Sequence, residues 1–179
     1  MENVALYSND FTQAPWAKTT MTAAFTEVGV TGEPNTASLL TATAGNATAI
    51  QTVTAASAVH ASKFYLKRSV GTGTVEITVD NVVWTPVTLT TEFLSFEVDA
   101  TVLDPKVGIR IVTSGDAVIC GNSELYLAKS TAEVRSLGPI FTTTAAVATD
   151  YTVYTFDPSN LNAVEAAWYL EQISSAKAD

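Results

Sequence analysis

Cysteine, histidine and basic residues are all scarce in this 179-residue chain: one Cys, one His, and nine Lys plus Arg against 18 Asp plus Glu. A single Cys120 excludes an intramolecular disulfide and any cysteine-based metal cluster. Its apolar neighbours in AVICGN read as the setting of a buried thiol. His60, between Val59 and Ala61, has no nucleophile or orienting partner that the sequence nominates, so it is expected to be a core or surface histidine, not a general base. HExxH, P-loop and GxSxG patterns are absent. The net charge of −9 and pI near 4.4 leave no basic face for nucleic acid and oppose an anionic membrane surface. No run reaches the ~18 uninterrupted apolar residues of a membrane span, and the basic-then-apolar pattern of a signal peptide is missing at the start. Synthesis and assembly in a host cytoplasm, with no membrane partner, are therefore expected.

What is present is strand-forming. The hydrophobic fraction is 47%, rich in Ala and Val, and Thr is abundant, a composition that suits pleated surfaces. Period-two alternation recurs in KFYLKRS (63–69), TVEITVD (74–80), EFLSFEV (92–98), KVGIRIV (106–112) and ELYLAK (124–129). The intervening GTG, DN, LDP and SGD are turn chemistry. TTMTAAFTE, ASLLTATA and ATAIQTVTA add three Thr- and Ala-rich candidates. Eight or more short antiparallel strands within about 130 residues predict a mainly β fold, an antiparallel β-sandwich of jelly-roll type spanning residues 1–130. After STAEVRSLGP the character changes. Residues 131–179 are expected to form a linker and a C-terminal arm of further strands, with 159–173 readable either as a short helix capped at Asp157 or Ser159 or as a strand.

The opening YSNDFTQAPWAK (7–18) resembles the Y-S-x-D-F-x-x-x-x-W entry of a jelly-roll, carbohydrate-binding-module-like domain of tailed-bacteriophage virion proteins. TVTAASAVHASKFYLKR, VTLTTEFLSFEVDA and VGIRIVTSGDAVICGNSELYLA are similar, in order, to later strands of that family. Its usual W-G-x-Q-L-E is here Cys120, Gly121, Asn122, Ser123, Glu124 and Leu125, a departure at the aromatic. The likeness covers roughly residues 3–129. It implies that Phe11 and Trp16 fold the entry loop across the end of the sandwich and that Asp10 holds local backbone amides.

For chemistry, Glu76 and Glu97 are a carboxylate pair on wet strand faces. Cross-strand pairing with Lys63, Lys67 and Arg110, placed on that same face, accounts for them without hydrolysis, so the chain is expected to be non-enzymatic. A sugar-binding face would use Tyr65, Trp84, Phe93 and Tyr126 as aromatic platforms, with Lys63, Glu97 and Arg110 as polar partners. The alternative is that Tyr65 and Phe93 are covered by the C-terminal segment or by a neighbouring subunit. Asp10, Asp116 and Glu124 are too scattered for a calcium site, and no metal or cofactor is expected.

The resemblance, the missing catalytic groups and the aromatic C-terminal segment point to a virion structural protein. The first expectation is a decoration or cement protein on the capsid exterior. Its partners would be the major capsid protein or other virion subunits, gripped through Tyr154, Trp168, Tyr169 and Leu170. Self-association would follow, as a trimer by analogy with proteins at three-fold positions. The alternative is a carbohydrate-binding receptor module of a tail or head fibre, with a glycan as partner.

Overall fold

A computed structural model describes residues 1–148 of the chain; Tyr154, Trp168, Tyr169, Leu170 and the helix-or-strand segment 159–173 lie outside the described residues. Two five-stranded antiparallel sheets stack face to face. One, the A sheet, runs β2 (Ala17–Thr19), β5 (Ala47–Thr52), β10 (Lys106–Ile111), β7 (Val75–Thr78), β8 (Thr85–Val87). The other, the B sheet, runs β3 (Met21–Glu27), β4 (Ala37–Ala42), β11 (Ala117–Tyr126), β6 (Ala58–Val70), β9 (Leu94–Val102). A two-residue pair, β1 (Glu2–Asn3) with β12 (Val147–Ala148), and one turn of helix, α1 (Thr131–Val134), complete the described elements. The expected β-sandwich is the observed one.

The alternation seen in the sequence becomes the core. Val75, Ile77, Val107, Ile109 and Ile111 from the A sheet meet Leu40, Phe64, Leu66, Val118, Cys120 and Leu125 from the B sheet. Cys120 is buried as expected, and its apolar surroundings push the thiol far above the ordinary range. The outward set of the A sheet, Thr48, Ile50, Lys106, Glu76 and Arg110, stays partly exposed.

β11 breaks the pattern, since all ten of its residues are buried. A register shift between Cys120 and Asn122 marks a bulge at Gly121. The extra residue flips the alternation, so Val118 and Cys120 point inward before it and Leu125 after it, leaving Asn122, Glu124 and Tyr126 outward. Gly121 is required there: a Cβ would lie 2.7 Å from Val30 Cγ1 and 2.8 Å from Phe93 Cε1.

The entry segment closes one end as the resemblance implied. Phe11 and Trp16 are buried, with ring centroids 3.9 Å apart and planes 21° from parallel. Trp16 Nε1 donates to Tyr7 O at 3.0 Å. Asp10 Oδ1 accepts the Thr12 amide at 3.0 Å.

The segment from 131 onward is not a free arm over its described length. The compact unit runs Met1–Thr149, so its boundary lies some twenty residues beyond the expected 130. Residues 131–142 form a strap across the outer face of the B sheet, and Val147–Ala148 continue as β12 against β1. Val134 and Ile140 are buried against Ala61 and Tyr126, and Thr142 donates its hydroxyl to Ala5 O and its amide to Ser8 Oγ. Glu133 starts the strap by accepting the Ser130 amide and hydroxyl at 2.9 and 3.0 Å, a capping box around α1.

Candidate functional site

The residues expected to share one sugar-binding face are divided between the two outer faces of the sandwich. Glu97, Lys63, Tyr65 and Tyr126 belong to the B sheet, with Phe93 just before β9. Arg110 and Glu76 belong to the A sheet, and Trp84 immediately precedes β8. Period-two alternation places a side chain on the wet face of its strand but does not say which of two stacked sheets the strand joins.

The B-sheet set is covered. Lys63 is 1% exposed, and its Nζ donates to Val134 O, Arg135 O and Leu137 O at 3.2, 3.0 and 2.8 Å. Tyr126 is buried, and its hydroxyl donates to Glu124 Oε2 at 2.8 Å. Neither is open to a ligand, a correction to both assignments. The Tyr65 hydroxyl donates to Leu137 O at 3.0 Å. Glu97 lies 3.8 Å from Lys63 and 3.9 Å from Arg135 of the strap. Phe93 lies over Gly121 and carries Lys67 Nζ 4.5 Å from its ring centre. For Tyr65, covering by the C-terminal side of the chain is what the structure shows, and the cover is residue 137.

Under the strap lies a buried acid that sequence reading considered only as a calcium ligand. Glu124 Oε1 accepts the Ile140 amide at 2.6 Å and Asn122 Nδ2 at 2.8 Å. Burial raises its carboxyl from 4.5 to about 7, against those donors and the nearby Lys63. Burial also lowers the Lys63 ammonium, against the pull of Glu124 and Glu97. A raised folded-state value means the folded protein holds the proton more tightly than the unfolded chain. The Glu124 contribution is therefore complete below pH 4.5 and lost as pH rises through about 7, a change on the order of 3 kcal/mol. The lowered Lys63 value acts with the opposite sign, adding stability as pH rises toward its ordinary 10.5. Chemical denaturation of wild type and Glu124→Gln between pH 4.5 and 8 should show a falling wild-type stability and a flatter variant; parallel curves would remove Glu124 as the source.

The outer face of the A sheet is the open one. Ala17, Thr19, Thr52 and Pro86 are exposed, and Thr48, Ile50 and Lys106 partly so. Cross-strand register aligns Thr19, Thr48, Arg110, Glu76 and Pro86 in one row across five strands. The next row holds Ala17, Ile50, Gly108 and Thr78. Trp84 crosses that second row. Its indole reaches the slot that Gly108 leaves empty, where a Cβ would stand 3.5 Å from the ring and only 2.9 Å from Thr78 Cγ2. Arg110 lies over the same indole, Cζ 4.5 Å from the ring centre, and its Nε donates to Glu76 Oε2 at 2.5 Å.

The hairpin that carries Trp84 is braced. Asp80 Oδ1 accepts the amides of Val82 and Val83, both at 2.8 Å, and Thr78 Oγ1 donates to Val83 O at 2.7 Å. Burial opposes the charge on Asp80, but those donors outweigh it and hold the carboxyl below its ordinary value. The site thus offers one half-buried aromatic on a pleated, Thr-rich surface, a charge-paired guanidinium beside it and no nucleophile. His60 is no part of it: buried, with Nδ1 accepting the Ala128 amide and Nε2 3.0 Å from Ala56 O.

No protein-family model and no curated protein sequence matches this chain. Solved structures do. A variant of the family 29 carbohydrate-binding module CBM29-2 superposes with TM-score 0.55 at 14% identity, covering 78% of this chain and 99% of its own. Another, complexed with mannohexaose, gives 0.52 at 13%, covering 78% and 98%. The enzymatically active domain of bacteriophage CBA120 tailspike protein 4 gives 0.51 at 12%, covering 69% of this chain but only 21% of that one. At such identities the likeness is one of architecture: this chain has the two-sheet antiparallel β-sandwich fold found in carbohydrate-binding modules and in a phage tailspike.

Proposed function

We propose that this protein is a non-catalytic glycan-binding module of a virion surface protein, with its ligand lying across the open outer face of the A sheet. The observation that carries the reading is Trp84, laid over Gly108 with Arg110 stacked on it, on the one broad sheet face that the described strap does not cover. An indole supplies an apolar surface for the C–H face of a sugar ring, and the flanking Thr48, Arg110 and Glu76 supply donors and acceptors for its hydroxyls. A β-sandwich shared with modules crystallised on oligosaccharides, and with a tailspike domain, supports the same reading by fold.

The capsid-decoration reading assigns the C-terminal region to a neighbouring subunit. Up to residue 148 that region is engaged by its own chain, through the B sheet and entry segment as far as Thr142 and through β1 at Val147–Ala148, which favours adhesion over cementing. Binding to a panel of immobilised neutral polysaccharides, mannans and xylans included, tests the proposal. Trp84→Ala should weaken binding on the order of 30-fold, a hot-spot loss of ~2 kcal/mol, with the far-UV spectrum unchanged. Tyr65→Ala should leave binding intact, because that side chain faces the strap on the opposite sheet. Full binding by Trp84→Ala, or a wild type that binds no member of the panel yet co-sediments with phage heads, would sink the reading.

A further inference from the structure

Beside edge strand β8 lies a cleft of about 480 Å³, lined by Arg68, the Gly71–Thr74 turn and residues 86–89. That is within the ~300–1,000 Å³ of small-ligand sites. We propose that this cleft is a second glycan subsite, continuous with the Trp84 face, which receives a further unit of the same uncharged oligosaccharide. The proposal rests on the sheet-face reading above and adds to it a place, a ligand length and a ligand charge.

Continuity follows from register. Pro86 lines the cleft, and it also pairs with Glu76, which pairs with Arg110. It is therefore the last residue of the cross-strand row that holds Arg110, whose guanidinium lies on the Trp84 indole. Trp84 itself stands one residue before Thr85, the partner of Ile77, whereas Thr74 lies just before β7. Four residues separate the level of Thr78 from that of Thr74, or ~13 Å of strand. An oligosaccharide of several units spans this distance and a monosaccharide does not.

The chemistry of the lining fits hydroxyl-rich units. Its polar side chains are the hydroxyls of Thr72, Thr74 and Thr88 and the guanidinium of Arg68, and Pro86, Val87 and Leu89 form an apolar wall. No carboxylate lines it. The turn is held in place before any ligand arrives. Asp116 Oδ2 accepts the Gly73 amide at 2.7 Å, and Arg68 Nη2 donates to Gly73 O at 2.8 Å. Such preorganisation lowers the ordering cost of binding.

Charge selects the ligand class. Arg68 Nη1 lies 3.6 Å from Asp116 Oδ2, and Arg110 is paired with Glu76. The two cations between Trp84 and the cleft thus each carry a carboxylate, on a chain of net charge −9. A uronic-acid polymer would meet no uncompensated positive charge there and would be repelled at longer range, so the expected ligand is neutral.

Isothermal titration of the full chain with mannohexaose, xylohexaose, the corresponding disaccharides and hexagalacturonate tests this. A neutral hexaose should bind at least about tenfold more tightly than its disaccharide, a gain of ~1.4 kcal/mol, and hexagalacturonate more weakly than either hexaose. Thr88 is exposed, so Thr88→Phe fills the cleft without disturbing the core; it should erase the hexaose advantage and spare the disaccharide. Amide shifts of Gly71, Gly73 and Thr88 in the wild type, moved by hexaose and not by disaccharide, give the same answer without a variant. If Trp84→Ala abolishes hexaose binding while Thr88→Phe and those amides do not respond, the cleft inference falls and the sheet face stands. If neither hexaose binds, both fall together, and tighter binding of hexagalacturonate overturns the neutral-ligand assignment.

Discussion

Trp16→Ala is expected to lower the unfolding free energy by ~3–5 kcal/mol, the cost of truncating a buried aromatic. The indole is 2% exposed and stacked on Phe11, itself fully buried. Removing it empties a space that the entry loop cannot collapse into, because that loop is tied down on several sides. Ser38 Oγ accepts the Phe11 amide at 2.9 Å, Gln51 accepts the Leu6 amide and donates back to Leu6 O, and Lys18 Nζ donates to Phe11 O and Trp16 O. Denaturant midpoints of wild type and Trp16→Ala would measure the difference. Trp16→Phe should recover part of it, though the bond from Nε1 to Tyr7 O is lost. A change below 1 kcal/mol would mean that the entry loop is not a structural part of the sandwich. A loss of this size is a large share of the 5–15 kcal/mol by which a whole domain is stable.

Lys63→Met should detach the strap. The ammonium serves three backbone carbonyls that have turned inward at the end of α1 and just beyond it. It also lies 3.8 Å from Glu97 and feels the charge of Glu124. Methionine keeps the apolar stem but leaves those carbonyls without that donor, and leaves Glu97 with Arg135 alone at 3.9 Å. Breaking a buried charged cluster on one side costs ~3–5 kcal/mol, and here most of the penalty can be relieved by lifting residues 131–142 back into water. The expected result is loss of hydrogen-exchange protection at Arg135 and Ile140 and faster proteolysis within the strap, while the β5–β10 ladder keeps its protection. Unchanged protection at Ile140 would show that the apolar contacts of Val134 and Ile140, with the bonds of Ile140 to Glu124 and Asn3, hold the strap without Lys63. Glycan binding should survive, because the strap and the Trp84 face lie on opposite sheets.

The two variants show how differently the parts of this molecule could be read from its sequence. The core strands were legible because burial on one face writes itself as alternation: Val75, Ile77, Val107, Ile109 and Ile111 are apolar at every second position and are all buried. The entry loop was legible through the resemblance of YSNDFTQAPWAK to a known entry motif, which implies that Phe11 and Trp16 close the end of the core. β11 was half legible. Its C-terminal end was expected, but the bulge at Gly121 and the covering of its second face make all ten residues buried. That hides the strand's true length and the outward aim of Glu124.

The candidate site was assembled from correct parts in the wrong grouping. Trp84 and Arg110 do meet, 4.5 Å apart, whereas Lys63 and Tyr126 are sealed in and Tyr65 is bound to the strap. A lysine followed by a tyrosine two residues later reads as a wet face, and it would be one if nothing were laid over it. The signal of a cover was the pair of apolar residues Val134 and Ile140 in the expected linker.

The sequence by itself determined the secondary-structure class, the inward faces of most strands, the buried thiol and the closed entry end. The first three follow from local periodicity and from the hydrophobic cost of exposing large apolar groups, and the last from the resemblance of the opening motif. Only the tertiary structure decided which strands share a sheet, which of the two outer faces stays open and how far the strap belongs to the body. Those outcomes depend on pairings between residues as distant in sequence as Asn3 and Ile140, whose side-chain amide and carbonyl meet at 2.8 Å, and no local pattern records a contact made across the whole chain.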